Sequence, residues 1–125
     1  MIFGQVTEYF DAVVRLSIAD SDNRLLVVDT ILDTGYNGWL TLPRDLIAKM
    51  GLRWRRRGRA FLADGNETVF DVYEANVIWH GQPRRIPVDE AETTPLLGMR
   101  MTAGCELSIQ VWTGGAVTIA ETTTA

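Results

Sequence analysis

The stretch Thr30-Ile31-Leu32-Asp33-Thr34-Gly35-Tyr36-Asn37-Gly38 sets a carboxylate at the end of an apolar run and follows it with turn-forming residues. Leu25 to Leu32 is almost continuously apolar and β-branched, broken only by Asp29 and Thr30. That composition reads as a strand covered on both faces. An unpaired ion placed in such an interior carries a large desolvation cost, so Asp33 needs a reason to be there. Thr34 supplies a hydroxyl that can hold the local backbone or a partner group. Gly35 lets another chain or carboxyl approach the backbone closely. Taken alone, Asp33-Thr34-Gly35 fits equally well an Asp that closes a strand in an Asx-type turn.

The flanking sequence predicts mostly short strands. Upstream, Phe10, Ala12, Val14, Leu16 and Ile18 alternate with more polar positions, the period of a half-buried strand, which ends at Asp20-Ser21-Asp22-Asn23. Downstream, Pro43 suits a first helical position and Leu46, Ile47 and Met50 form an apolar stripe. Gly51 is a natural stop, so a short helix is expected over 43–51. Ala63-Asp64-Gly65-Asn66 predicts a hairpin turn, and His80-Gly81-Gln82-Pro83 a second one. Leu96-Leu97-Gly98 opens a segment, Met99 to Gly104, that suits one or two helical turns. Leu107, Ile109 and Val111 alternate again, and Thr113-Gly114-Gly115-Ala116 turns into Val117-Thr118-Ile119. Glu121 to Ala125 is expected to fray. Many short strands, Gly-rich turns and one small helix mean an all-β barrel or sandwich.

A chain of 125 residues amounts to one domain, 1–125, and cannot hold a two-lobed enzyme with its site between lobes. Hydrophobic residues at 46% and charged residues at 22% are those of an ordinary globular protein. The formal charge of −4 argues against a general nucleic-acid coat, and no nucleic-acid partner is expected. The charge is mildly uneven, +2 up to Leu62 and −6 beyond it. One cysteine, Cys105, excludes an intrachain disulfide, and with His80 the only His a zinc site would lack ligands. Met1-Ile2-Phe3-Gly4 is not a basic region leading into an apolar stretch, and no run reaches membrane-spanning length. The expectation is a soluble cytoplasmic protein with no membrane partner.

The ordered set of elements resembles the retropepsin-like, single-domain aspartic proteases of the acid protease superfamily. The resemblance covers nearly the whole chain. It rests on an apolar strand into Asp33-Thr34-Gly35, then Trp39-Leu40-Thr41-Leu42-Pro43 and a short helix, a hairpin at Ala63-Asp64-Gly65-Asn66, Leu96-Leu97-Gly98, and a terminal strand pair. The Asp-Thr-Gly-aromatic-Asn-Gly loop and the C-terminal Gly-Gly are most similar to a small microbial subgroup. The resemblance implies a retropepsin-like acid-protease barrel with one short helix that is half of an obligate dimer. It also implies an aspartic endopeptidase acting as a homodimer on peptide or protein substrates. Asp33 would be catalytic, with one carboxyl from each subunit sharing a proton and activating a water; no metal or cofactor is implied. Thr34 and Gly35 would support the active-site loop. Ala63, Asp64, Gly65 and Asn66 would form a flap over an extended substrate, with Tyr36 facing a subsite. Leu96, Leu97 and Gly98 would floor the site. The alternative is a non-catalytic homodimeric peptide- or partner-binding module on the same fold.

Several residues depart from the retroviral pattern. Tyr36 stands where a small residue is usual, and Gly98-Met99-Arg100 replaces Gly-Arg-Asp/Asn. The flap has one Gly, which implies a stiffer or shorter lid, and the hairpin at Gly114-Gly115 is longer than a simple interface strand. Asp29 and Asp33 lie about 13 Å apart if extended, too far to share a proton, so Asp29 reads as a polar or edge position. Arg53, Arg55, Arg56, Arg57 and Arg59, with Trp54 among them, form the one basic cluster. It suits a solvated strand end, or contact with phosphate or an acidic peptide. His80 reads as a turn residue, Cys105 as a small buried side chain, and Gly114-Gly115 as a turn.

Overall fold

The computed structural model of the chain describes residues 1–122. Ten strands and one helix follow in order: β1 (Ile2–Val6), β2 (Ala12–Ala19), β3 (Leu25–Leu32), β4 (Leu40–Leu42), α1 (Arg44–Met50), β5 (Arg53–Phe61), β6 (Glu67–Trp79), β7 (Gln82–Glu90), β8 (Leu96–Leu97), β9 (Cys105–Ile109) and β10 (Ala116–Glu121). They hydrogen-bond in the order β5-β6-β7-β4-β8-β3-β2-β1-β10-β9. A further pairing, Ile18 with Val77 and Ala19 with Asn76, joins β2 to β6. That pairing closes β2, β3, β8, β4, β7 and β6 into a ring, an all-β barrel. A barrel removes the free edges at which an open sheet would aggregate.

Closure also explains the two overhanging pieces. The edge of β2 is shared, with β1 pairing along Ala12 to Val14 and β6 along Ile18 and Ala19. The sheet β1-β10-β9 therefore peels away at one end. At the other end β5 and the first half of β6 leave the ring as a long antiparallel hairpin, Arg53 to Phe61 against Glu67 to Glu74.

The period of two in β2 appears as expected: Ala12, Val14, Leu16 and Ile18 are buried. Phe10, assigned to the same strand by its alternation, instead sits in the preceding turn at φ 62° and is exposed. Inward residues of opposite strands, including Leu40, Leu42, Val77, Ile86, Val88 and Leu97, fill the barrel. Burying each such side chain stabilises by roughly 1.5–3 kcal/mol.

Four further expectations need correction. Leu25–Leu32 is not covered on both faces: Val28, Thr30 and Leu32 point inward while Leu25 and Val27 are exposed. Leu25 and Val27 lie on the outer face of the wall that β2 and β3 form. Asp29 belongs to that outer face and pairs with Arg15 at 3.2 Å. The helix is Arg44–Met50, with Pro43 as its extended N-cap (ψ 154°) and Gly51 closing it at φ 63°. Met99 to Gly104 forms successive turns and no helix, pinned by buried Met101 and Thr102. The tail packs further than expected. Glu121 pairs with Cys105, and the Thr122 backbone N–H and hydroxyl both donate to the Gly104 carbonyl. The expected fraying of 123–125 lies outside the described residues.

Both hairpin turns lie where the sequence predicts them. His80 and Gly81 form a two-residue turn with φ 49° and 78°, the paired positive values of a type I′ turn. β1 had no expectation in the sequence, since Gly4 and Gln5 interrupt its apolar positions. Among the described residues no helix is long and apolar enough to cross a membrane.

Candidate active site

Asp33 follows the last residue of β3, partly exposed, with Thr34 and Gly35 exposed beyond it. Its backbone N–H donates to the Leu97 carbonyl at 2.9 Å, and its Oδ1 accepts the Gly35 N–H at 2.9 Å. The local geometry is thus the Asx-type turn that the bare triplet allows. The same turn fixes one carboxylate oxygen and leaves the other at the surface of the loop. A Cβ at Gly35 would stand 3.3 Å from Asp33 Oδ1, so glycine keeps this turn tight.

Leu96-Leu97-Gly98 lies directly against that loop. β8 pairs in parallel with Ile31 and Leu32 and antiparallel with Leu40 and Thr41, so it is wedged between the strands entering and leaving the loop. Three consecutive N–H groups then tether the loop from below: Gly98 to Trp39 O at 3.0 Å, Met99 to Tyr36 O at 2.8 Å and Arg100 to Gly38 O at 3.0 Å. A Cβ on Gly98 would fall 2.1 Å from the Gly38 carbonyl oxygen, closer than atoms can approach. Leu97 is fully buried beneath.

Tyr36 lies across this platform. Any Cβ on Gly38 would meet its ring at 2.5 Å, and one on Gly98 would meet it at 2.7 Å. The two glycines make room for the aromatic ring. Its hydroxyl donates to Asp89 Oδ2 on β7 at 2.8 Å. Burial pushes the Tyr36 phenol well above the usual range, and the neighbouring Asp89 charge adds to this against the opposing contact of Thr41. Burial also raises Asp89, while the Tyr36 hydrogen bond and the Arg56 guanidinium pull it back. The pair is therefore a neutral phenol donating to a half-buried carboxylate.

The middle of the β5–β6 hairpin shares two cavities with the loop and its flanks. At the hairpin tip Gly65 takes φ 85°, and Asp64 accepts from both the backbone and the side-chain nitrogen of Asn66 at 2.9 Å. Ala63, Asp64, Gly65 and Asn66 are all exposed. Just before the tip Phe61 and Leu62 are exposed apolar residues, at 79% and 52%. Lower down, a Cβ at Gly58 would strike the Phe70 ring at 2.5 Å, so Gly58 lets that ring lie across β5. Phe70, Tyr36, Thr41 and Asp89 line one cavity of about 380 Å³ between hairpin and loop.

Asp89 and Phe70 had no place in the sequence reading. No local spacing marks them, because each meets the loop only through strand register. A second convergence is equally non-local: Cys105 Sγ lies 3.7 Å from His80 Nε2, and His80 Nδ1 lies 3.7 Å from Glu121 Oε1. Burial raises the Cys105 thiol above its usual range, helped by the Glu121 charge and opposed by Arg84. Cys105 is half-buried, and His80, the turn residue expected, has its ring almost wholly enclosed. Among the described residues no three His, Cys, Asp or Glu side chains are grouped to hold a metal ion.

A closed barrel, an Asp-Thr-Gly loop interlocked with an apolar-apolar-Gly strand, and an overhanging hairpin together define the retropepsin-like acid-protease fold. The chain is similar to a retropepsin-like aspartic protease from Rickettsia conorii whose crystal structure is known, with a TM-score of 0.65 over 96% of this chain and 89% of that one. Sequence identity is 13%, so the likeness is one of fold. No protein-family model and no curated protein matches the chain.

Proposed function

We propose that the protein is a homodimeric aspartic endopeptidase in which each protomer contributes one Asp33. The observation that carries this reading is the Asp33 loop. Its carboxylate is fixed by the Gly35 N–H and its backbone is clamped to Leu97, Gly98, Met99 and Arg100, yet the side chain stays partly exposed. Such rigidity serves a group that must meet a second one in a set position.

Two like charges about 3 Å apart cannot both ionise, so the paired carboxyls hold one proton between them. The ionised Asp33 takes a proton from a water held between the two, and the water oxygen bonds to the scissile carbonyl carbon. The protonated Asp33 donates a hydrogen bond to the developing oxyanion. When the C–N bond breaks, a carboxyl proton passes to the leaving nitrogen. The exposed Thr34 hydroxyl is free to bond the partner's loop. The hairpin around Asp64 and Gly65, with exposed Phe61 and Leu62, closes over an extended peptide.

The test is cleavage of a broad peptide library between pH 3 and pH 8 by wild type and Asp33→Asn. Loss of cleavage in a variant that still dimerises supports the reading; undiminished cleavage overturns it. Specific activity should also fall on dilution, because monomers lack a complete site.

A further inference from the structure

The arginines of β5 remain without a role in that reading. Arg57 pairs with Asp71 at 3.6 Å and Arg59 with Glu67 at 3.3 Å, both largely in solvent. Arg56 makes only a long 3.5 Å bond to the Arg57 carbonyl. Arg100, from the turns after β8, has no ion-pair partner among the described residues. Strand register and the tether of residues 98–100 bring Arg56, Arg59 and Arg100 to the rim of one cavity of about 210 Å³. Gly38 and Trp39 of the active-site loop form one wall, and Phe70 of the hairpin another.

We propose that this cavity is a subsite for an acidic side chain of the peptide bound between hairpin and loop. The proposal deepens the endopeptidase reading and rests on it. Location comes first: the walls belong to the loop that carries Asp33 and to the hairpin, so a peptide between them passes the opening. Size comes next. A volume of 210 Å³ is below the roughly 300–1,000 Å³ of pockets that enclose whole small molecules, and suits one side chain.

Charge selects which side chain. Asp89 is itself one of the lining residues, its Oδ2 held by the Tyr36 hydroxyl and its charge felt by Arg56, and Glu67 is paired with Arg59. Neither Arg56 nor Arg100 forms an ion pair within 4 Å among the described residues, so their donors remain available, and a guanidinium fork matches a carboxylate in two parallel hydrogen bonds. Trp39 is itself backed by Arg84, whose guanidinium lies 4.9 Å from the ring centroid, which adds positive potential behind the wall. A net charge of −4 disfavours a long polyanion, whereas a single carboxylate feels mainly the nearby arginines.

The experiment uses two peptide series that differ only by Glu or Gln at each successive position. Wild type, Arg100→Gln and Arg56→Gln are compared for kcat/KM, with circular dichroism to confirm folding. We expect wild type to prefer Glu at one position on the order of tenfold, equivalent to about 1.4 kcal/mol. Either arginine variant should bring that ratio close to one while still cleaving the Gln peptide. An unchanged ratio in both folded variants, or none in wild type, overturns the subsite. If no peptide is cleaved at all, the endopeptidase reading fails separately, and fluorescence anisotropy of the same peptides decides. Glu-dependent binding lost in the variants upholds the subsite; equal binding of both series overturns it. Tighter binding of a ten-nucleotide single strand than of any Glu peptide also overturns it, in favour of a nucleic-acid surface.

Discussion

The Tyr36 hydroxyl donates a 2.8 Å hydrogen bond to Asp89 Oδ2, joining the loop that carries Asp33 to a barrel strand 53 residues away. Through it the aromatic residue next to Gly35 becomes a strut. The ring rests on Gly38 and Gly98, and its far end is anchored on β7. In Tyr36→Phe the half-buried Asp89 carboxylate loses its donor, so unfolding stability should drop by about 1–3 kcal/mol. Chemical denaturation of wild type and variant checks this; equal stability would show that the bond adds nothing.

Asp89 also sets a pH dependence. Its folded pKa lies above the unfolded value, so the native state binds more protons than the unfolded chain between the two. Stability tied to this group is therefore present below the ordinary carboxylate range and is lost as pH rises through the raised value. Asp89→Asn lacks the titration. Melting temperatures of the two proteins followed upward from pH 3.5 should show wild type losing ground to Asp89→Asn, and parallel curves would contradict it.

The β8 clamp gives a steric prediction. Gly98→Ala would set a methyl 2.1 Å from the Gly38 carbonyl oxygen and 2.7 Å from the Tyr36 ring. The backbone must move, at a cost of about 1–3 kcal/mol or more, and Asp33 moves with it. Gly65→Ala at the hairpin tip has nothing within 4 Å and only the cost of its left-handed backbone, about 1–2 kcal/mol. Gly98→Ala should thus disturb activity far more than Gly65→Ala for a similar loss of stability. Activity assays corrected for folded fraction separate the two.

Much of this arrangement is legible in the sequence, and the parts that are not share a cause. Asp33-Thr34-Gly35, Leu96-Leu97-Gly98 and the two hairpin turns are local chemistry, read from a few adjacent residues. The partners Asp89 and Phe70 are not local, since register alone brings them to the loop. Leu25 and Val27 misled because an apolar outer face and a covered face look alike in a single strand. Met99–Gly104 has apolar residues that suit a helix, but it closes in successive three-residue turns, Ala103 N–H to the Arg100 carbonyl and Cys105 N–H to that of Thr102, and stops at Gly104 with φ 81°. Phe10 continued an alternation that the chain breaks with a turn.

Cys105 offers a check on the C-terminal hairpin. Burial and the Glu121 charge hold its thiol above the ordinary range, so alkylation by iodoacetamide should be slow at neutral pH. Glu121→Gln removes one of the two effects and should move the midpoint of the labelling rate to lower pH. No movement would mean that the carboxylate does not act on the thiol.

The central claim is that one chain holds half of a catalytic site. Subunit mixing tests it most directly. A fixed amount of wild type is equilibrated with a ninefold excess of Asp33→Asn and assayed on a cleavable peptide. Random pairing leaves about a tenth of the wild-type subunits with a wild-type partner, so activity should fall to about a tenth of that of wild type alone at the same total protein concentration per wild-type subunit. Activity that stays at the wild-type level, with heterodimers present by native mass spectrometry, would contradict the shared site.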